Sequence, residues 1–345
     1  MKKQFILIVC MLSMAGLLAA CGGGSGSGPA TNVATSSAPA SDMGAIQDSK
    51  PADATANVQD SSAETSGQEG QEAASSTAAA QVSSEEFNAR MTGIIEPIIM
   101  NYGMQAGVTV VDVTTGERAV IGGDMQMPSA SMIKIALVAT FLQHVEEGKH
   151  SLDDLYTIQD GDIVGGTGSI GGHGVGAQLT YREIVERTIY ESDNTGANIL
   201  IETVGMDAVN DFARSKELTA TSMNRLMMDE DALARGVDNF TSASDTATLL
   251  YEIAKHSLVS EEASSIMLSA LEMQQDNLGI AQGLPAGTVF AHKTGSLTTV
   301  RNDGGIVEGG HPYVISIMCG ADVVDAGAAN SLMAEIAAAI NPEFA

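Results

Sequence analysis

The order in which the sequence changes period predicts an α+β fold: a five-stranded antiparallel sheet flanked by helices, with a mainly helical subdomain inserted between its strands. Three observations carry this. Two runs of alternating, β-branched residues lie early in the folded part, three lie late, and a long block of helical period separates the two groups. The early runs, GVTVVDVTTG and ERAVIGG, flank a Thr-Thr-Gly turn and read as a hairpin. The stretch PSASMIKIALVATFL, Pro128 to Leu142, then starts a helix behind Ser129, Ala130 and Ser131, apolar on nearly every side and so marked for burial. Thr180 and Glu183 have the spacing of a capping box that opens a helix to about Glu191. Helical period continues through TGANILIETV, MDAVNDFARSKEL, SDTATLLYEIAKH and EEASSIMLSALEMQQ. Strands return in TVFAHKTG, NDGGIVEG and HPYVISIMCG, and a helix from about Ala326 to Ala339 closes the chain. The glycine-dense stretch from Gly161 to Gly176 does not lead a strand into a helix as a phosphate loop does, and it reads as a mobile loop.

The foldable part is expected over residues 84–345. Before it, Lys2 and Lys3 precede the apolar run FILIVCMLSMAGLLAA, shorter than the ~20 residues of a membrane-spanning helix, so residues 1–20 read as a signal peptide. Its end, LLAAC, resembles the bacterial lipobox, which makes Cys21 the expected lipid carrier. The resemblance places the protein outside the cell interior, lipid-anchored to the outer face of the bacterial cytoplasmic membrane, at the cell surface or in the periplasm. Residues 21–83 are Gly, Ser, Ala, Thr, Gln and acid, too poor in large apolar side chains to offset the entropy of ordering them. As a flexible coil this tether would hold the domain roughly 40–45 Å from its anchor.

Composition excludes several functions. A formal net charge of -27 makes nucleic acid a poor partner and leaves nothing basic to hold anionic lipid. Of the 3 cysteines, Cys10 leaves with the signal and Cys21 takes the lipid, so Cys319 in YVISIMCG is expected as a small buried hydrophobe. No histidine or cysteine pair has metal spacing, and neither a metal nor a cofactor is expected.

Within the apolar helix one residue is out of place. Lys134 follows Ser131 by three residues, on the same helix face, so its amine is expected beside the serine hydroxyl. Apolar surroundings disfavour the ammonium form, and a neutral amine can take the hydroxyl proton and turn serine into a nucleophile. Such a site needs a second proton carrier, oxyanion donors and a cation for an anionic substrate. Ser192-Asp193-Asn194 at a helix junction and Lys293-Thr294-Gly295-Ser296 at a strand end supply candidates in chain order.

Ser-x-x-Lys, Ser-Asp-Asn and Lys-Thr-Gly are together the motif set of class A β-lactamases and penicillin-binding proteins. The chain resembles that superfamily from about Ser84 onward, and class A most in its motif spacing. The resemblance implies the β-lactamase/transpeptidase-like fold and a serine hydrolase that opens a β-lactam amide through an acyl-enzyme on Ser131, with Lys134 as base. It implies Ser192 as proton relay and Asn194 as a contact to the substrate amide or Lys134. Lys293 and Thr294 would hold the substrate carboxylate, with Arg301 as a further carboxylate ligand, and the N–H groups of Ser131 and Ser296 would bind the oxyanion. The family's Glu-x-x-Leu-Asn, whose glutamate activates the deacylating water, corresponds to Glu230-Asp231-Ala232-Leu233-Ala234, with alanine where asparagine is expected. That departure keeps open a D-alanyl-D-alanine carboxypeptidase acting on D-Ala-D-Ala-type peptides, and a module that captures β-lactams or wall peptides without turnover.

Overall fold

The computed structural model describes the backbone of residues 68–345 and the side chains from residue 84; the expected signal peptide, the expected lipid carrier Cys21 and most of the expected tether lie outside the described residues. The early hairpin and the late strands build one sheet. β1 (Gln105–Asp112) pairs antiparallel with β2 (Arg118–Ile121), as the Thr-Thr-Gly turn predicts. Two small ladders follow in the chain: β3 (Met127–Pro128) pairs with β6 (Phe240–Thr241), and β4 (Leu155–Thr157) with β5 (Gln178–Thr180). The last strands, β7 (Phe290–Ser296), β8 (Val300–Val307) and β9 (Tyr313–Gly320), complete the order β2-β1-β9-β8-β7. The first and last strands of the chain thus meet in the middle, β1 on β9, and every pairing is antiparallel. Cys319 lies on β9, fully buried and free, with its thiol pushed up to about 12 by burial.

Between β2 and β7 runs the helical insertion. α2 (Ile133–Glu146) is buried at every position from Ile133 to Leu142, Lys134 included. Around it stand α3 (Tyr181–Tyr190), α4 (Asn194–Val204), α5 (Met206–Ser215), α7 (Ala243–Ala254) and α8 (Glu261–Glu272); the short α6 (Glu230–Ala234) lies between α5 and α7 in the chain, and the four-residue α9 (Ile280–Gly283) packs on the other face of the sheet. The capping box of α3 forms as expected, with the Thr180 hydroxyl accepting from Glu183 N–H and the Glu183 carboxylate reaching back.

The opposite face of the sheet carries α10 (Ala326–Ile340) and a helix that alternation did not reveal. α1 (Gln68–Tyr102) starts within the residues assigned by composition to the tether, and the first buried side chain among those described is Phe87. Phe87, Met91, Ile95 and Ile98 recur at helical spacing and pack with α10, β1 and β9 into a second core. Pro97 and Gly93 inside this segment hide its period; tertiary packing overrides them.

Candidate active site

Ser131 sits in a short 3-10 turn, Ala130–Met132, that feeds directly into α2. Ala130 adopts a left-handed backbone, φ 47°, a strained conformation for a residue with a Cβ and one that functional sites commonly hold. Residues in the first turn of a helix have no helical acceptor for their N–H groups, so Ser131 N–H is left to face the cleft. β7 comes very close here. A Cβ added at Gly295 would lie 3.1 Å from Ser131 N, Ser129 O and Ala130 Cβ, so glycine in Lys-Thr-Gly lets the strand lie against the nucleophile.

Lys134 is completely buried, and its amine does not bond to Ser131 as its place on the helix suggested. Nζ donates instead to Ser192 O at 2.6 Å, Asn194 Oδ1 at 2.8 Å and Ser192 Oγ at 3.2 Å. Burial holds its pKa well below the ordinary lysine value; the charge of Lys293 pushes it further down and Asp193 pulls it up. A neutral amine has two N–H bonds, which the two carbonyl-type oxygens satisfy, and its lone pair remains for a proton.

Ser192 precedes α4 with φ 56°, another left-handed residue. Its hydroxyl lies between two lysines, 3.2 Å from Lys134 Nζ and 3.0 Å from Lys293 Nζ. Asp193, between Ser192 and Asn194, is the cap of α4: Oδ1 accepts from Gly196 N–H at 2.7 Å and Oδ2 from Ile170 N–H at 2.7 Å. The motif therefore combines ordinary capping at Asp193 with a proton carrier, Ser192, on one side and an acceptor for the Lys134 amine, Asn194, on the other. Lys293, on β7, also donates to Thr294 O at 2.6 Å; burial pushes its pKa down to about 7, while Asp303 and Asp276 pull it up and Arg301 lowers it.

The glycine-dense stretch is no free loop. Asn194 Nδ2 donates to Gly165 O, Asn194 N–H to Thr167 O, Thr167 Oγ1 to Ser192 O, and Ser169 to Glu191. The expectation of a mobile loop fails because these bonds fasten it to residues 191–194. The glycines serve close approach: at Gly168, φ 106°, a Cβ would fall 2.1 Å from Asp193 Oδ2, and at Gly166, φ 88°, 2.4 Å from Asn194 Nδ2.

Ser131, Thr167, Ser192, Asn194 and Gly295 line one cleft of about 350 Å³ that also takes in Thr294, Ser296, Arg301 and Glu230, with the buried Lys134 and Lys293 behind Ser192. Arg301 lies on β8 opposite Ser296, as its sequence position suggested, but it is already engaged: it donates to Ser296 Oγ at 3.0 Å and Asn330 Oδ1 at 2.8 Å and pairs with Asp276 at 2.9 Å. Glu230 opens α6 with its side chain exposed at the cleft and no hydrogen bond or ion pair among the described residues. Its neighbour Asp229 caps the same helix, accepting from Ala232 N–H at 2.8 Å. Ala234 is exposed and contributes nothing to the lining.

Sequence reasoning missed what holds the Glu230 loop. Arg225 pairs with Asp238 at 2.8 Å, both nearly buried, and Asn239 Oδ1 accepts from the N–H groups of Asn224 and Arg225, so the two ends of the loop are clamped together. Asn198 on α4 brackets Met227 by accepting from its N–H at 2.7 Å and donating to its carbonyl at 3.1 Å. An arginine and an aspartate at opposite ends of a polar loop were the available signal.

A buried lysine one turn after a cleft-lining serine, a hydroxyl relay between two lysines and a strand end laid against the nucleophile define a serine hydrolase working by acyl transfer. The model of the beta-lactamase enzyme family matches residues 90–344, and the chain belongs to that family. Beta-lactamase L2 of Stenotrophomonas maltophilia is 30% identical over 217 residues, 61% of this chain and 71% of that protein. An ancestral (GNCA) class A beta-lactamase superposes with TM-score 0.67 at 27% identity, covering 74% of this chain and 100% of that one. The structure of PBP-A superposes with TM-score 0.67 at 25% identity, covering 73% and 96%, and a mutant of it was solved as an acyl-enzyme complex with penicillin G.

Proposed function

We propose that the protein is a class A-like serine β-lactamase, and the observation that carries this is the completely buried Lys134 amine, hydrogen-bonded to Ser192 and Asn194 beside the nucleophile turn. Ser131 Oγ attacks the lactam carbonyl and gives its proton to the neutral Lys134 amine. The oxyanion that forms is met by N–H groups of Ser131 and Ser296. The C–N bond then breaks, and the ring nitrogen takes its proton through the Ser192 hydroxyl, which Lys134 recharges. The substrate carboxylate rests at Lys293 and Thr294, with Arg301 behind them.

The acyl-enzyme needs a base for water. Four carboxylates line the cleft. Glu191 is held by Ser169 and Arg187, Asp229 caps α6 and Asp276 is paired with Arg301, which leaves Glu230 as the group free to take a proton from water. Its exposure, with Met227 rather than a carboxylate held by Asn198, favours a second reading. In that reading deacylation is slow and the enzyme acts as a D-alanyl-D-alanine peptidase or a capture module. The leader sequence and Cys21 support a lipid-anchored protein at the outer face of the bacterial cytoplasmic membrane.

Intact-mass spectrometry at timed intervals after mixing with excess benzylpenicillin tests the assignment, with Ser131→Ala as control. An adduct that forms and vanishes as drug is consumed is the expected result; a persistent adduct moves the assignment to the peptidase or capture reading; no adduct overturns both.

A further inference from the structure

On the α10 side of the sheet, immediately behind Lys293, two ionisable residues are buried completely. His292 Nδ1 lies 2.9 Å from Asp303 Oδ1, and the other carboxylate oxygen accepts from Ile280 N–H at 3.1 Å. His292 Nε2 is buried with no partner. The contact to an acceptor-only carboxylate puts an N–H on Nδ1, which donates to Asp303 Oδ1. Asp303 therefore receives hydrogen bonds from the His292 ring and a backbone N–H, and among the described residues no lysine or arginine pairs with it directly. A buried carboxylate without a paired cation is costly unless a charge nearby answers it.

The strand register supplies that charge. Asp303 on β8 is paired with Thr294, the residue after Lys293, and His292 is the residue before it. The groups that act on Lys293 from the surrounding elements are Lys134 on α2, Ser192 before α4, Arg301 and Asp303 on β8, and Asp276 before α9, while Asp193 acts on Lys134. Burial drives Lys134 toward its neutral form. Asp193 spends both oxygens on backbone N–H groups, and Asp276 and Arg301 neutralise one another in their own pair. Asp303 is left as the unbalanced negative charge, and its field supports the cationic form of Lys293 against desolvation. On the α10 side Asn330 and Met333 lie with Asp303 around Gly279, and Asn330 Oδ1 accepts from Arg301 Nε.

We propose that Asp303, oriented by His292, is the buried counter-charge of Lys293 and a positioning residue that sets the pH range over which the cleft holds an anionic substrate. The inference rests on the reading of Lys293 as the anchor for the substrate carboxylate. It differs from a structural role in one measurable respect: removing the charge changes where the lysine titrates, not how well the nucleophile works at low pH.

The test is the rate of benzylpenicillin acylation of the full chain, followed by intact mass across about pH 5 to 9. Asp303→Asn keeps the shape and loses the charge, so Lys293 loses its proton at lower pH. The alkaline limb is expected to move down by about one unit, making labelling about ten times slower above neutrality while the acidic plateau stays. His292→Gln, which keeps an N–H donor, should leave the limb in place, and His292→Leu should move it as Asp303→Asn does. In a Lys293→Arg background, whose guanidinium does not titrate, Asp303→Asn should shift nothing. A profile lowered equally at every pH, or a limb that does not move, overturns the proposal. Should Asp303→Asn fail to fold, the two His292 variants give the same decision. Absence of any Ser131 adduct in the unaltered protein would instead refute the functional reading on which this rests.

Discussion

Replacing Lys134 by alanine isolates the step on which the catalytic reading depends. The side chain is completely buried, so its removal takes away one amine and no surface charge. Ser192 O keeps a donor in Thr167 Oγ1 at 2.6 Å, whereas Asn194 Oδ1 loses its only one; an orphaned buried acceptor costs about 1–3 kcal/mol. Relief of the buried amine offsets part of that, and the variant should stay folded with a modestly lowered melting temperature. The chemical loss is larger. A positioned base contributes about 10²–10⁴ in rate, which corresponds to about 3–5 kcal/mol of barrier. Labelling by benzylpenicillin, read by intact mass, should slow by that factor while near-ultraviolet circular dichroism stays native. Lys134→Arg keeps a cation that cannot accept a proton, and it should fail equally. Labelling of Lys134→Ala at the unaltered rate would refute the base, and rescue by arginine would show that a charge, not a base, is what the site needs.

The remaining predictions concern pH, turnover and fit. Lys293 loses its charge as pH rises through about 7, and its hold on a carboxylate goes with it, so kcat/KM should fall on the alkaline side of that value. The limb in kcat should lie at higher pH, since a bound carboxylate favours the charged lysine; coincident limbs would mean that Lys293 does not meet the substrate anion. Glu230→Gln should leave the rate of adduct formation unchanged and lengthen adduct lifetime by about 10²–10⁴ in timed mass spectra; an unchanged lifetime removes Glu230 from deacylation. Gly168→Ala, with a Cβ 2.1 Å from Asp193 Oδ2, should lower both melting temperature and labelling rate, and normal labelling would break the link between this loop and Ser192. Gly283→Ala, whose Cβ would fall 2.0 Å from Ala334 O on α10, should lower the melting temperature alone, and a changed labelling rate per folded molecule would contradict the separation of that face from the cleft.

How much of this was legible depends on the range of the interaction. The Ser131 to Lys134 spacing, the cap at Asp193 and the alternation in β7 to β9 are local, and local periodicity places them correctly. The helix of Phe87, Met91, Ile95 and Ile98 escaped because Gly93 and Pro97 blur its period, and only α10 and the sheet make it necessary. The loop from Gly161 to Gly176 misled because glycine density reads as freedom, whereas here glycine removes Cβ atoms that would strike Asp193 and Asn194. The partners chosen by Lys134 lie 58 and 60 residues away and could not be read from helix spacing.

The same distinction bears on the departure at Ala234. A loop whose shape depended on an asparagine after Leu233 would be disordered by alanine there. This loop is instead clamped by the Arg225 to Asp238 pair, by Asn239 across its neck and by Asn198 at Met227, all outside the altered segment. Breaking a nearly buried ion pair by removing one partner typically costs about 3–5 kcal/mol, far more than one exposed side chain at Ala234 contributes. The loop can therefore change the residues it presents to water without loss of its fold, while the buried Lys134 and Lys293 are interlocked through the Ser192 hydroxyl, and Ser131 is held on the turn that feeds α2. Acylation is thus tied to the core and deacylation to a separable loop. Arg225→Ala should then shorten or lengthen adduct lifetime while leaving adduct formation nearly untouched, and an equal loss in both steps would show that the loop also shapes the acylation site.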